Sequence, residues 1–394
     1  MLKELFRKTR DLPGCVLALC LFFLGALAGC TDVTTGADAP PRVNDDEIVA
    51  LVNTAEDQNA VRRAALSEGY LLRKVTDLPS LGLIMLSFER PPGVTGPQAI
   101  EFLEGAVPGA TVGVNHAYTL QQSAPGGGAL NYADALLQWP NGGCPARGPL
   151  GLIDTGVDAT VPALTATEIV AQRFFDGRAG PARHGTEIAT VLSDPRRLSR
   201  VKIFSADVFE LSPDAGLAAG ADSLVRALDW MAQNDVRVVN LALAGPFNKL
   251  LALAVERAAA RGLILIAAVG NDGAAAPLRY PAGFDQVIAV TAVDAARRIM
   301  PNAGRGGHVD VAAPGVEVLV APTGRGRLVT GTSIATPFVA ARIIADPAMM
   351  RAGSVASVRQ QLRRSTQDLG PAGYDPLFGA GLLQAKGLCG SGSS

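Results

Sequence analysis

Apolar positions along this chain keep two rhythms, separated by a glycine-rich stretch at 121–148. Before it, short strand-like runs enclose two amphipathic stretches. The pattern predicts strands at Glu47–Val52, Tyr70–Val75, Leu81–Phe88 and Thr111–Leu120, with helices at Asn59–Gly69 and Gln98–Ala106. After it come short, mostly apolar runs: Leu150–Ile153, Val201–Val208, Val236–Leu243, Leu263–Val269 and Val287–Val293. Runs of that kind are buried on both faces, as in a parallel sheet. Helical stretches lie between them, at Ala221–Asn234 and Lys249–Arg261. In the first, Leu224, Leu228 and Met231 share one helical face. Alternating strands and helices predict an α/β fold, a doubly wound and mainly parallel sheet with helices on both faces. Ligands bind such sheets at the carboxyl ends of the strands.

The first block reads β-α-β-β-α-β, the ferredoxin-like order. The expected organisation is therefore a small α+β domain over 45–120, a linker over 121–147 with a short helix at Tyr132–Gln138, and a large domain over 148–390. Composition supports folded domains. Apolar residues make up 48% and charged residues 18%, too apolar for bulk disorder. The 44 glycines and 26 prolines imply many tight turns. A formal charge of −1 with no long basic run gives no reason to expect nucleic acid.

Residues 1–29 have the form of a secretory signal: Lys3, Arg7, Lys8 and Arg10, an apolar run from Val16 to Ala28, then small residues. The run is short for a membrane span; an uncleaved signal anchor is the alternative. Leu27-Ala28-Gly29-Cys30 resembles the lipobox of bacterial lipoproteins. That resemblance implies lipid on Cys30, a membrane anchor, and a polar tether over 30–44. Thr31 in place of Asp implies sorting to the outer membrane, so the expected location is the cell envelope, facing periplasm or exterior. Cys15 and Cys20 leave with the signal. Cys144 and Cys389 remain, and in an oxidising compartment they are expected to form a disulfide, with two free thiols as the alternative.

Four short motifs lie where the sheet would hold a ligand. Gly151-Leu152-Ile153-Asp154-Thr155-Gly156 ends an apolar run in a carboxylate. His184-Gly185-Thr186 precedes a helical stretch, Glu187–Leu192, with Thr186 as its expected N-cap. Gly270-Asn271-Asp272-Gly273 follows the run Leu263–Val269. Gly331-Thr332-Ser333 opens a helix to about Ala345. Singly, each has an ordinary structural explanation: a loop-capping Asp, a hydrogen-bonding His, a capping Ser. Together they supply a carboxylate, an imidazole and a hydroxyl. Serine is a poor nucleophile until a base takes its proton, and histidine is suited to do so near neutral pH. The chain has only three histidines, and neither His116 nor His308 has such a context.

The order Asp154, His184, Asn271, Ser333 with these flanks resembles the subtilisin-like serine peptidases, over roughly residues 148–388. The resemblance implies that Asp154 orients His184, that His184 is the general base and Ser333 the nucleophile, and that Asn271 with the Ser333 N–H forms an oxyanion hole. It implies that Leu241, Ala242, Leu243, Ala244 and Gly245 contact substrate. It also implies that the small domain is a propeptide and intramolecular inhibitor, cut within Tyr118–Pro125; an independent binding domain is the alternative. Polypeptides are then the substrates, and no metal or other cofactor is expected, since no calcium loop is recognisable. The sequence departs from the family's pattern at Glu187, Thr336 and Phe338, and at Ala242 and Ala244, where the added methyl of Ala244 is expected either to narrow the primary specificity pocket or to alter the backbone. The reading is a lipid-anchored serine endopeptidase that processes itself. The alternative is a peptide-binding lipoprotein with a vestigial triad. An esterase is disfavoured, because no Gly-x-Ser-x-Gly surrounds Ser333.

Overall fold

The computed structural model describes residues 41–44, 46–121, 132–213 and 215–389. The signal, Cys30 and most of the tether lie outside these residues, as does the linker over 122–131. The described residues fall within one compact unit. Among the described residues no helix is long and apolar enough to cross a membrane.

The chain begins with β1 (Glu47–Val52), α1 (Ala55–Ser67), β2 (Leu71–Leu78), β3 (Leu83–Glu89), α2 (Gly96–Ala106) and β4 (Thr111–Val114). The four strands make an antiparallel sheet ordered β2-β3-β1-β4. Why β1 is apolar from Ile48 onward is now visible. Its alternate residues Ile48, Ala50 and Val52 face a small core with Val61 of α1 and Leu103 of α2. Val49 and Leu51 point the other way, into the core of the larger domain. Helix α1 starts at Ala55 rather than Asn59, because the Thr54 hydroxyl accepts the Asp57 N–H and caps it.

The expected strand Thr111–Leu120 is two strands. It breaks at Asn115-His116, and β5 (Ala117–Leu120) joins a different sheet. Asn115 has a tertiary role at the break: its Nδ2 donates to Glu47 of β1 (2.8 Å) and to Asp222 of the large domain (2.9 Å). A polar, buried bridge of this kind leaves no mark on hydrophobic periodicity.

The large domain continues with β6 (Leu150–Asp154), β7 (Glu168–Arg173), α3 (Arg183–Leu192), β8 (Lys202–Asp207), β9 (Phe209–Ser212), β10 (Gly216–Gly220), α4 (Ala221–Gln233), β11 (Val238–Leu241), β12 (Leu243–Ala244), α5 (Lys249–Ala260), β13 (Ile264–Ala268), β14 (Val287–Val293), β15 (Val311–Pro314), α6 (Thr332–Ala345), β16 (Thr366–Gln367) and β17 (Leu382–Leu383). Its main sheet is ordered β16-β17-β15-β14-β13-β11-β6-β8-β7 and is parallel except at β16. From β6 the chain winds outward to one side, then returns to the other side at β11. That reversal creates a crevice at the carboxyl ends of β6 and β11. Strand β7 escaped the sequence reading because it is an edge strand with mostly exposed or half-buried residues. The run Val236–Leu243 also divides: β11 belongs to the main sheet, and β12 to a second sheet ordered β9-β10-β5-β12.

Helix α6 is buried along its whole length, which explains why it is apolar all round. Helices α4 and α5 carry the small domain. Asn248 caps α5 through Oδ1 while its Nδ2 donates to Val114 O (2.9 Å), and Lys249 pairs with Glu104. Cys144 and Cys389 are joined in a disulfide with Cα atoms 5.7 Å apart.

Candidate active site

Asp154 is the last residue of β6 and is wholly buried. Its Oδ1 accepts the Thr155 N–H (2.6 Å). His184 lies in the first turn of α3, not in a loop ahead of it. Ala182 occupies the N-cap position and makes no side-chain cap, so Thr186 is not the cap the sequence reading expected. Thr186 sits inside the helix, donating its hydroxyl to Ala182 O and accepting the Asp158 N–H. Gly185 makes the approach of α3 to β6 possible. A Cβ there would collide with the carbonyls of Thr155 and Gly156, and its N–H donates to Thr155 Oγ1 (2.8 Å).

This packing places His184 Nδ1 at 2.7 and 2.9 Å from the two Asp154 oxygens. A carboxylate on that side fixes the proton on Nδ1 and leaves the Nε2 lone pair free to accept. Nε2 is 3.1 Å from Ser333 Oγ. Ser333 is the second residue of α6, after the N-cap position Gly331, and its hydroxyl caps nothing. Further along α6, Pro337 has no N–H to give to Ser333 O; the Thr336 hydroxyl donates there instead (2.9 Å). The first turn therefore stays satisfied, and its Thr332 and Ser333 N–H groups are left to donate outside the helix, to Asn271 Oδ1 and Gln121 O.

Asn271 follows β13. Its Oδ1 accepts both the N–H and the hydroxyl of Thr332 (3.1 and 2.9 Å). A backbone N–H only donates, so the oxygen must lie on that side and Nδ2 on the other. Nδ2 is buried and has no hydrogen-bond acceptor among the described residues. A donor held in place without an acceptor suits charge that appears only during reaction.

The chain itself occupies the crevice. Strand β5 lies between β10 and β12, antiparallel to both, with Thr119 opposite Ala244 and Leu120 opposite Leu243. The buried Tyr118 ring rests on Gly245, where any Cβ would strike it, and its hydroxyl donates to Pro246 O (3.1 Å). Beyond β5, the Gln121 carbonyl accepts from Ser333 Oγ (2.5 Å) and from the Ser333 N–H (3.3 Å). Of the five residues expected to contact substrate, Leu243 and Ala244 are in register with this segment and Gly245 underlies it. Leu241 pairs instead with Ile153 and Ala267 in the main sheet, and Ala242 is buried between the two sheets. Sequence reasoning missed Gln121 and Thr332; both act through partners distant in the chain.

The other histidines are elsewhere. His116 contacts Asn248 Nδ2. Burial, then Arg42, pushes its pKa down, and burial does the same to His308. Among the described residues no group of three or more His, Cys, Asp or Glu could hold a metal ion. The departures at Glu187 and Phe338 have structural partners: Glu187 makes an ion pair with Arg327, and Phe338 packs under the Arg197 guanidinium.

A carboxylate, imidazole and hydroxyl in hydrogen-bonded series, at the carboxyl edge of a parallel sheet, define an α/β protein arranged for serine nucleophile chemistry. Residues 149–381 match the model of the subtilase family, Peptidase_S8; the chain belongs to that family. It is 28% identical over 251 residues to the minor extracellular protease Epr of Bacillus subtilis (strain 168), covering 60% of this chain and 38% of Epr. It is 29% identical over 254 residues to subtilisin DY of Bacillus licheniformis, covering 60% of this chain and 89% of that protein. The match thus spans well under half of Epr. Fervidolysin from Fervidobacterium pennivorans, a keratinolytic enzyme related to subtilisin, shares the fold. The TM-score is 0.70 at 20% identity, over 88% of this chain and 61% of fervidolysin.

Proposed function

We propose that this chain is a serine endopeptidase that cuts itself after Gln121, and that residues 45–121 are its propeptide and first substrate. One observation carries the reading: the Gln121 carbonyl receives both the hydroxyl and the N–H of Ser333, while His184 and Asp154 stand behind that hydroxyl. The Ser333 hydroxyl has one proton and two acceptors, the carbonyl and His184 Nε2. When the proton passes to Nε2, Oγ attacks the Gln121 carbonyl carbon. The Ser333 N–H and Asn271 Nδ2 take up the oxyanion. Asp154 stabilises the imidazolium, which then protonates the departing nitrogen of residue 122. Water, activated by the same imidazole, hydrolyses the acyl-enzyme and frees Ser333. Until it dissociates, the released propeptide keeps β5 between β10 and β12 and blocks the crevice to other polypeptides.

Lipid on Cys30 precedes the propeptide in the chain. Self-cleavage therefore divides the protein into an anchored propeptide and a catalytic part held to the envelope only by docking. The test expresses wild type and Ser333→Ala and fractionates membranes. Wild type is expected to yield a soluble fragment whose N-terminus is Gln122 by mass spectrometry, and Ser333→Ala to remain full length and membrane-bound. Fluorophosphonate labelling of Ser333 and turnover of unfolded casein should accompany processing. Identical full-length protein from both, without labelling, overturns the peptidase reading in favour of a peptide-binding lipoprotein.

A further inference from the structure

Gln121 is buried, and every polar atom of its side chain has a partner. Its Oε1 accepts the N–H of Asn271 (2.8 Å). Its Nε2 donates back along its own strand, to Thr119 O (3.3 Å) and Thr119 Oγ1 (3.2 Å). The Thr119 hydroxyl in turn reaches Ala244 O of β12 (3.4 Å). We propose that the site selects glutamine immediately before the cut, reading it together with a threonine two residues earlier. This rests on the peptidase reading and names the substrate class for it: extended segments of the form Thr-x-Gln.

The selection follows from which groups are left without partners. A leucine or methionine in place of Gln121 fills similar space but offers no acceptor, so the half-buried Asn271 N–H loses its bond. Sites that hydrogen-bond a substrate group reject analogues lacking it far more strongly than apolar pockets distinguish methylenes. A glutamate keeps the acceptor for Asn271 but turns its second oxygen, charged, toward the Thr119 carbonyl, where glutamine presents a donor. Protonating that glutamate restores a donor. The residue at Asn271 thus serves twice, its side chain toward the oxyanion and its backbone N–H toward the residue that carries it.

The experiment uses the self-processed wild-type enzyme on quenched fluorescent peptides Ala-Tyr-Thr-Leu-X with a common sequence after the cut. X is Gln, Glu, Leu, Met or Phe, and each is also made with Val in place of Thr. For Thr peptides, kcat/KM is expected to fall about tenfold to a hundredfold from Gln to Leu or Met. The Glu peptide should be at least about tenfold poorer than Gln at pH 8, with the gap narrowing toward pH 5. Replacing Thr by Val should slow the Gln peptide several-fold and the Leu peptide clearly less, because only the Gln peptide also loses the bond from Nε2 to the Thr hydroxyl. In the full chain, Gln121→Leu should slow self-cleavage by a similar factor. Leu, Met or Phe peptides equal to or better than Gln overturn the proposal, as does an equal effect of Val on Gln and Leu peptides. If casein turnover and phosphonate labelling persist in that case, only the selectivity is refuted. If they are absent too, the peptidase reading falls with it.

Discussion

The contact between β1 and α4 contains a carboxyl whose protonation sets how firmly the small domain docks. Glu47 and Asp222 share the two hydrogens of one amide, Asn115 Nδ2. Arg226 pairs with Asp222, and Ser87 and Arg226 also act on Glu47. Glu210 lines the same cleft, its own pKa raised by burial and then by Asp222. Burial first, and Asp222 second, push Glu47 from its ordinary 4.5 up to about 7. Between those values the folded protein holds a proton that the unfolded chain has released. Stability therefore falls as pH rises through this window; the penalty is nearly absent below 4.5 and complete above 7. Its full size is about 3 kcal/mol, an upper bound, and at pH 5 under about 1 kcal/mol. Glu47→Gln removes the titration but keeps an oxygen to accept from Asn115. In the uncleavable Ser333→Ala chain, equilibrium urea unfolding at pH 5 and pH 8 isolates the effect. The Gln variant is expected to gain little at pH 5 and to approach 3 kcal/mol at pH 8, about a hundredfold in the equilibrium constant. No gain at pH 8, or an equal gain at both pH values, refutes the reasoning.

Further measurements address other parts of the molecule. Asn271→Ala should lower kcat about 10²–10³-fold with little change in KM, because Nδ2 has no acceptor until charge develops; a change confined to KM would contradict that role. Gly245→Ala puts a methyl against the Tyr118 ring and should slow self-processing more than it slows turnover of a peptide with alanine at that place; equal slowing of both would mean that Tyr118 is not the group displaced. Replacing Cys144 and Cys389 by Ser opens a covalent link spanning 245 residues. Unfolding should become easier by about 2–5 kcal/mol, and an unchanged urea midpoint would show that the link does not hold the folded state.

Local signals made much of the fold legible. The runs from Leu150 to Val293 are mostly apolar because both faces of a parallel sheet are covered, so that they are strands is legible from the local pattern. The β-α-β-β-α-β order was equally plain. What periodicity does not carry is which sheet a strand joins. Thr111–Leu120 and Val236–Leu243 each read as one run, and each is two strands in different sheets. Both divisions are set by pairing with distant segments, as is the edge strand β7, whose exposed face leaves a weak pattern.

The site divides in the same way. Asp154, His184, Asn271 and Ser333 stand out in the sequence because each lies in a short motif at an element's end, where a turn needs glycine and a helix needs a start. Their distances were decided by the crevice between β6 and β11 and by Gly185, which lets α3 approach. Nothing near Gln121 marks it: it meets Ser333 across 212 residues of chain, through the pairing of β5 with β12. A sequence records the chemistry a residue offers and the local conformation it prefers. Which residues face one another depends on strand order and register, and these are settled by burial and hydrogen bonding over the whole fold.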